Sequence, residues 1–351
     1  IDKIEINIGE GIAGWVAQNK KSILIEDCYN DDRFDSTMDL KTNFKTKSMI
    51  CVPMLRNENL IGVIQVINKI DGDSFKQLDV SIFETLASQC AIAIENARLV
   101  IEQIKNETTA YELKMAHEIQ MNLLPKSLPK YNDLDVAATL IPAREVGGDY
   151  YNVLKLNDQY SLLAIADVSG KGIPAALIVS VIYSSLITQI HECKSEVYIV
   201  SLVETLNKVL IEATTTDRFA TAWIGLYEHS TKKLYGINAG HNYPFIFRKG
   251  ETKPFELTKG GIMLGSIELP FDEEALTLRR GDILVLYTDG VTEAWNKMEE
   301  EYGEVRLIEL VNSFGELSSQ EIIERLFYDI RQHVGEAQPS DDITCVVMKV
   351  K

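Results

Sequence analysis

Cysteine is scarce and scattered: Cys28, Cys51, Cys90, Cys193 and Cys345 form no C-x-x-C pair. This excludes a zinc ribbon and a disulfide framework, and fits buried thiols in a reducing compartment. Clusters of Lys and Arg are missing too. The 351 residues carry 35 basic and 52 acidic side chains, a formal charge of −17. Nonspecific binding to nucleic acid or to an anionic membrane is therefore not expected. No apolar run is long and clean enough to cross a bilayer; the longest, Ala175 to Ile190, is broken by Ser180, Ser184, Ser185 and Thr188. No signal peptide is present, and the chain, which begins at Ile1 rather than Met, reads as part of a longer protein. Repeats and low-complexity segments are absent. So is a Cys-x5-Arg loop, and no Ser/His/Asp set emerges.

What the chain does have is four short aspartate motifs: Gly147-Gly148-Asp149-Tyr150, Ala166-Asp167-Val168-Ser169-Gly170, Tyr287-Thr288-Asp289-Gly290 and Asp341-Asp342-Ile343-Thr344. In the last three the acid sits at one end of an apolar β-type run, which presents its carboxylate at the rim of a sheet. Bringing such acids together is costly: at about 5 Å and an effective dielectric near 20, each pair costs roughly 3 kcal/mol. Divalent cations are the usual remedy, and all-oxygen ligation selects a hard ion such as Mg²⁺ or Mn²⁺.

At 46% hydrophobic the chain can bury ample core and is expected to form two domains. Residues 1–98 open with a short helix at Gly9 to Trp15 and strand-like runs at Ser22 to Glu26, Met49 to Leu55 and Leu60 to Asn68, with a turn at Glu58-Asn59. From Leu78 to Pro125 the pattern is helical without Pro or Gly, about 47 residues or roughly 70 Å. Apolar positions 86, 90, 93, 97, 100 and 104 follow coiled-coil spacing, a polar stretch runs from Glu102 to Thr109, and the stripe resumes at Tyr111, Met115, Ile119 and Leu123. Two helices broken near Asn106 to Thr109 are the alternative. Residues 99–124 are assigned as linker, and 125–351 as the second domain. In the latter, strands are expected near 135–141, 160–167, 219–228, 233–239, 244–248, 275–279, 283–288 and 343–350. Helices are expected near 174–191, 196–213, 303–313 and 318–335. The fold class is mixed α+β, with antiparallel sheets and helices packed outside.

The four motifs, in this order, resemble the PPM-type (protein phosphatase 2C-like) serine phosphatases of the SpoIIE/RsbU class. Pro142 to Tyr151, Ile165 to Ala176, Asn238-Ala239-Gly240-His241-Asn242, Gly281 to Ala294 and Asp341 to Thr344 carry the likeness, and Ile119-Gln120-x-x-Leu123-Leu124-Pro125 looks like the helix that leads into that domain. The resemblance implies an αββα sandwich. It also implies two Mn²⁺ or Mg²⁺ ions, or three. Asp149, Asp167 and the Val168 carbonyl would hold the first, and Asp167, Asp289 and Asp341 the second. Asp342 is the alternative to Asp341, a helper, or a ligand to an extra ion. A metal-bridged water would attack phosphoserine or phosphothreonine in line, without a covalent enzyme intermediate. Arg144 matches a phosphate-binding Arg of the wider family, with a structural ion pair as the alternative. His241 is expected to hold its turn rather than relay a proton, and Lys171 is given no role.

Gly147-Gly148-Asp149-Tyr150 is unlike a diguanylate cyclase signature, because Tyr150 and Tyr151 replace its acid and Phe. The first domain resembles the later part of a GAF domain through Gly11 to Ala17, Ile25 to Phe34, Ser48 to Met54, Gly62 to Lys69 and Ala87 to Ala97. Asn68-Lys69, Phe75 and Asp79 partly match the pattern of cyclic-nucleotide-binding GAF domains, so a cyclic nucleotide, another ligand or none is expected there. The implied partners are a phosphorylated STAS-type anti-sigma factor antagonist and a second copy of the chain along the linker helix. Neither nucleic acid nor membrane is expected, and the location is cytoplasmic. A non-catalytic sensor or scaffold for the same partner is the competing reading.

Overall fold

In a computed structural model the described residues are 6–70, 74–192, 198–215, 217–337 and 339–351, with the side chains of residues 38, 41 and 42 left aside. The chain divides into two compact units, Ile1–Thr109 and Ala110–Lys351. In the first, α1 (Gly11–Asn19), β1 (Ile23–Ile25), α2 (Thr37–Thr42), β2 (Met49–Arg56) and β3 (Asn59–Ile67) precede the start of α3 (Gln77–Met121). The strands form an antiparallel sheet in the order β1-β2-β3. Alternation along β2 serves both faces: Met49 and Cys51 pack with Ile12 and Val16 of α1, while Ile50 and Val52 pack with Phe75, Val80 and Ala87. The β2–β3 turn falls at Asn57-Glu58, one residue earlier than expected, where both residues have positive φ.

The helix expected from residue 78 is a single element of 45 residues with no break at Asn106 to Thr109. Residues 102–109 are polar apart from Ile104, but each is compatible with helix, and nothing in the stretch removes a backbone donor.

The second unit contains β4 (Leu134–Ile141), β5 (Asp149–Lys155), β6 (Tyr160–Val168), α4 (Ile173–Glu192), α5 (Ile199–Ala213), β7 (Ala220–Glu228), β8 (Lys233–Ala239) and β9 (Phe245–Phe247). After them come β10 (Phe255–Glu256), β11 (Gly260–Gly261), β12 (Glu274–Thr277), β13 (Ile283–Tyr287), α6 (Asp289–Thr292), α7 (Glu304–Ser313), α8 (Ser319–Val334) and β14 (Ile343–Val350). One sheet runs β10-β9-β13-β14-β4. The other runs β11-β8-β7-β6-β5, with β12 on β8. All pairings are antiparallel except the two-residue β11–β8 contact. Leu284, Leu286, Val346 and Met348 lie in the larger core, which draws on both faces of the other sheet, Ile165 from one and Leu162 and Ile224 from the other, and on α4 and α5. Val285, Tyr287, Cys345 and Val347 face outward under α7 and α8. The result is an αββα sandwich.

The expected strands and helices form, with ends shifted by at most three residues, and residues 196–197 of the expected second helix lie outside the described residues. Strands β5, β10 and β11 were not anticipated. β5 reads Asp-Tyr-Tyr-Asn-Val-Leu-Lys, whose polar residues hide its β character, and burial on both faces overrides that signal. Helix α4 has the length and mean hydropathy (1.8) of a membrane span, but Ala175, Ile178, Val179, Ile182 and Leu186 are buried in the unit's own core. The described cysteines are all free thiols, three of them buried and Cys90 partly so; Cys193 lies outside the described residues.

Trp223, fully buried, lies over Gly225 and its cross-strand neighbour Gly236. A Cβ at Gly225 would come within 2.1 Å of the indole. Gly225→Ala is expected to lower stability by about 1–3 kcal/mol through overpacking, as read from urea denaturation.

Candidate active site

The sheet registers assemble the site. β5 begins at Asp149 and pairs with β6 so that Asp149 lies opposite Asp167. On the other sheet, β13 ends at Tyr287, opposite Cys345 of β14. That pairing places Asp289, the first residue of α6, beside the Asp341-Asp342 approach to β14. Thr288 ties the strand ends together: its amide donates to Thr344 O at 3.1 Å, and its hydroxyl accepts from Thr344 N at 3.1 Å.

The same threonines join the two sheets. The Thr288 hydroxyl donates to Asp149 Oδ2 at 2.7 Å, and the Thr344 hydroxyl donates to the same oxygen. Asp342 serves the opposite purpose, holding backbone rather than side chains. It accepts from Ala143 N and Gly148 N at 2.8 Å each and from Asp149 N at 3.4 Å. Gly147 and Gly290 make room for it: a Cβ on Gly147 would fall 1.7 Å from Asp342 Oδ2, and one on Gly290 would fall 1.9 Å from its carbonyl. Asp341 is half-exposed and pairs with Lys171 at 2.7 Å.

The cost of gathering these acids shows in their ionisation. Burial, then the Asp167 charge, pushes Asp149 well above the usual carboxylate range. Burial, then Asp289 and Asp341, raises Asp167 to about 7. Asp289 is raised by burial and by Asp341. Among the described residues, no three His, Cys, Asp or Glu side chains are gathered tightly enough to hold a metal ion as they stand. The donor set nevertheless suits a hard cation. It is all oxygen, and a cradle is left open beside it: a Cβ at Gly148 would lie 2.7 Å from Val168 O and 3.3 Å from Asp167 Oδ1.

Arg144 lies exposed on the loop before Asp149, with no ion pair among the described residues. His241 is buried, its pKa lowered to about 4 by desolvation. Its Nδ1 meets the Thr221 hydroxyl at 2.9 Å, and Asn238 brackets its backbone at 2.8 and 2.9 Å. A neutral, enclosed imidazole suits the structural role. Lys171, given no role from the sequence, pairs with Asp341, and the threonines went unassigned although Thr288 and Thr344 lie inside the quoted motifs. So did Gln120, whose side chain bonds Gly147.

In the first unit, Asn68 accepts from Lys47 N and donates to Lys45 O, and Lys69 pairs with Asp79 at 3.2 Å. These motif residues brace the scaffold. Beside them lies a cavity of about 540 Å³ walled by Glu26, Asp27, Tyr29, Lys45 and Ser48 among others.

Two antiparallel sheets between helix layers, with carboxylates at one rim, define the class of PP2C-type phosphatases. The model of stage II sporulation protein E (SpoIIE) matches residues 157–351, and that of the GAF domain matches residues 1–94. The chain belongs to the SpoIIE family of PP2C-type serine phosphatases, with a GAF domain ahead of its phosphatase domain. It is 27% identical over 304 residues to phosphoserine phosphatase RsbU of Bacillus subtilis (strain 168), covering 82% of this chain and 86% of that one. It is 38% identical over 154 residues to a cGMP-specific 3',5'-cyclic phosphodiesterase of Drosophila erecta, 41% of this chain and 13% of that protein. The SiaA-PP2C domain of Pseudomonas aeruginosa shares the fold, with TM-score 0.62, 19% identity, and coverage of 70% of this chain and 99% of that one.

The raised Asp167 pKa fixes the sign of a stability effect. Between about pH 4 and 7 the unfolded chain ionises this carboxyl while the folded chain does not, so metal-free stability falls as pH rises. In EDTA at pH 8, Asp167→Asn is therefore expected to melt several degrees higher than wild type, with the gap closing toward pH 4 by calorimetry.

Proposed function

We propose that this phosphatase hydrolyses phosphoserine or phosphothreonine on a partner protein by a two-metal reaction at the Asp149–Asp167 rim. The observation that carries the reading is the register opposing Asp149 to Asp167, with Asp289 and Asp341 delivered by the second sheet. Asp149 and the Val168 carbonyl would hold one ion, Asp167 would bridge, and Asp289 and Asp341 would complete the second. Asp342, engaged with three backbone amides, is the helper, which favours Asp341 as the ligand. Bound there, two Mn²⁺ or Mg²⁺ ions would supply a water of lowered pKa and would neutralise phosphoryl charge. Arg144, exposed on the loop before Asp149, would receive the phosphoryl oxygens.

The likeness to phosphoserine phosphatase RsbU over most of both chains supports a phosphoserine substrate. The SpoIIE/RsbU resemblance directs the search to a phosphorylated STAS-type anti-sigma factor antagonist in the cytoplasm. Regulation would come from the GAF domain, through a cyclic nucleotide or another small ligand, along residues 99–124. Apolar residues on α3 support a parallel homodimer there: Leu99, Val100, Ile101, Ile104, Tyr111 and Ile119 are each more than half exposed. A polar interruption between two apolar stretches suits a helix pair with two arrangements close in free energy.

With Mn²⁺, purified protein is expected to hydrolyse a phosphoserine protein or p-nitrophenyl phosphate, and EDTA to stop it. Asp167→Ala, Asp149→Ala and Asp289→Ala should each lower turnover at least about a hundredfold. Near wild-type rates in all three would end the two-metal reading, and Mn²⁺-independent partner binding without turnover would leave a scaffold. Two residues inserted at Asn106 turn the downstream helix by about 200°. Turnover should then change sharply in either direction. A chain monomeric at micromolar concentration in sedimentation, or unchanged turnover, would reduce the helix to a spacer.

A further inference from the structure

The last turn of α3 is bonded to the loop that carries Asp149. Gln120 is buried, and its side-chain amide meets both backbone groups of Gly147: Nε2 donates to Gly147 O at 2.8 Å, and Oε1 accepts from Gly147 N at 3.1 Å. One turn earlier on the same helix face, His117 Nδ1 contacts Glu145 O. Two side chains three residues apart thus grip the segment just before the first aspartate of the site.

We infer that Gln120 is a positioning residue that ties the rotation of α3 to the placement of Asp149. Gly147 is held on its other side by Asp342, whose carboxylate occupies the space a Cβ would need and bonds the amides of Gly148 and Asp149. The chain of contacts is therefore continuous: Gln120 to Gly147, Gly147 against Asp342, Asp342 to the Asp149 backbone. A primary amide is the side chain this place requires, because it presents a donor and an acceptor side by side to one peptide residue. Glutamate would lose the donor and set a second carboxylate near Asp342, and an apolar residue would leave two buried backbone groups unpaired. Rotation of α3 breaks the Gln120 and His117 contacts together, since both sit on one face. The linkage lies wholly within Ala110–Lys351.

The inference rests on reading Asp149 as a metal ligand, and the test separates the two. Mn²⁺ is titrated calorimetrically into the metal-stripped full chain as wild type, Asp149→Ala, Gln120→Met (similar length, no amide) and Gln120→Asn (amide kept, one methylene too short). Asp149→Ala should lose an ion. Both Gln120 variants should bind Mn²⁺ roughly 10–100-fold more weakly, the range seen when residues orienting a metal's ligands are removed, while still melting cooperatively. A role in packing alone would leave the Met variant's affinity at the wild-type value. That result, with Asp149→Ala impaired, overturns the inference and leaves the metal site standing. Asp149→Ala binding like wild type overturns both. In a second arm, the two-residue insertion at Asn106 should alter turnover of the Gln120→Met protein less than about twofold while altering wild type sharply, because the helix no longer grips the loop. An undiminished insertion effect in Gln120→Met would refute the coupling.

Discussion

Repulsion between carboxylates at the shared rim of two sheets sets the terms for the rest of the second unit. Asp149 and Asp167 are forced face to face by antiparallel register, and Asp289 and Asp341 arrive from the opposite sheet with little freedom to withdraw. Burial then raises the cost, because each charge loses water as it approaches the others. Burial and the neighbouring charges raise the carboxyls of Asp149, Asp167 and Asp289 accordingly. A rim held this way is poised for cations and is badly placed without them.

The surroundings answer the strain with bonds that do not use the open carboxylate faces. Two threonine hydroxyls take one oxygen of Asp149 and leave the other free. Asp342 accepts from the backbone amides of Ala143 and Gly148 and so braces the loop before Asp149. Lys171 offsets Asp341 from the β6–α4 connection. Two adjacent aspartates therefore differ in surroundings: Asp342 accepts from backbone amides, and half-exposed Asp341 pairs with Lys171.

Much of this was legible in the sequence, and the limits have physical causes. The strands that carry Asp167 and Asp289 announce themselves as apolar runs ending in an acid, so their rim positions could be read without a structure. β5 could not be, because Asp149, Asn152 and Lys155 interrupt its apolar pattern, and its identity comes from pairing with β6 at the sheet edge and from burial. The different surroundings of Asp341 and Asp342 were equally hidden, since the two are alike in chemistry and only tertiary contact shows which meets backbone amides. Gln120 and Lys171 belong to the same category. A glutamine late in a helix and a lysine between two glycines are ordinary in sequence, and only tertiary contact gives them partners. The continuity of α3 went the other way: helix-compatible residues ran through the polar stretch, and local propensity was the better guide than the interrupted stripe.

Because the final turn of α3 is bonded to the segment just before Asp149, the inferred role of Gln120 makes the phase of that helix part of the domain it leads into. Modules joined upstream are consequently not interchangeable at arbitrary lengths. A graft that adds or removes three, four or seven residues returns nearly the same helix face to the loop, whereas one of two or five presents the opposite side. The diversity of sensors that could be spliced onto such a domain is quantised by the helical repeat, and the permitted junctions are spaced along the chain like teeth on a gear.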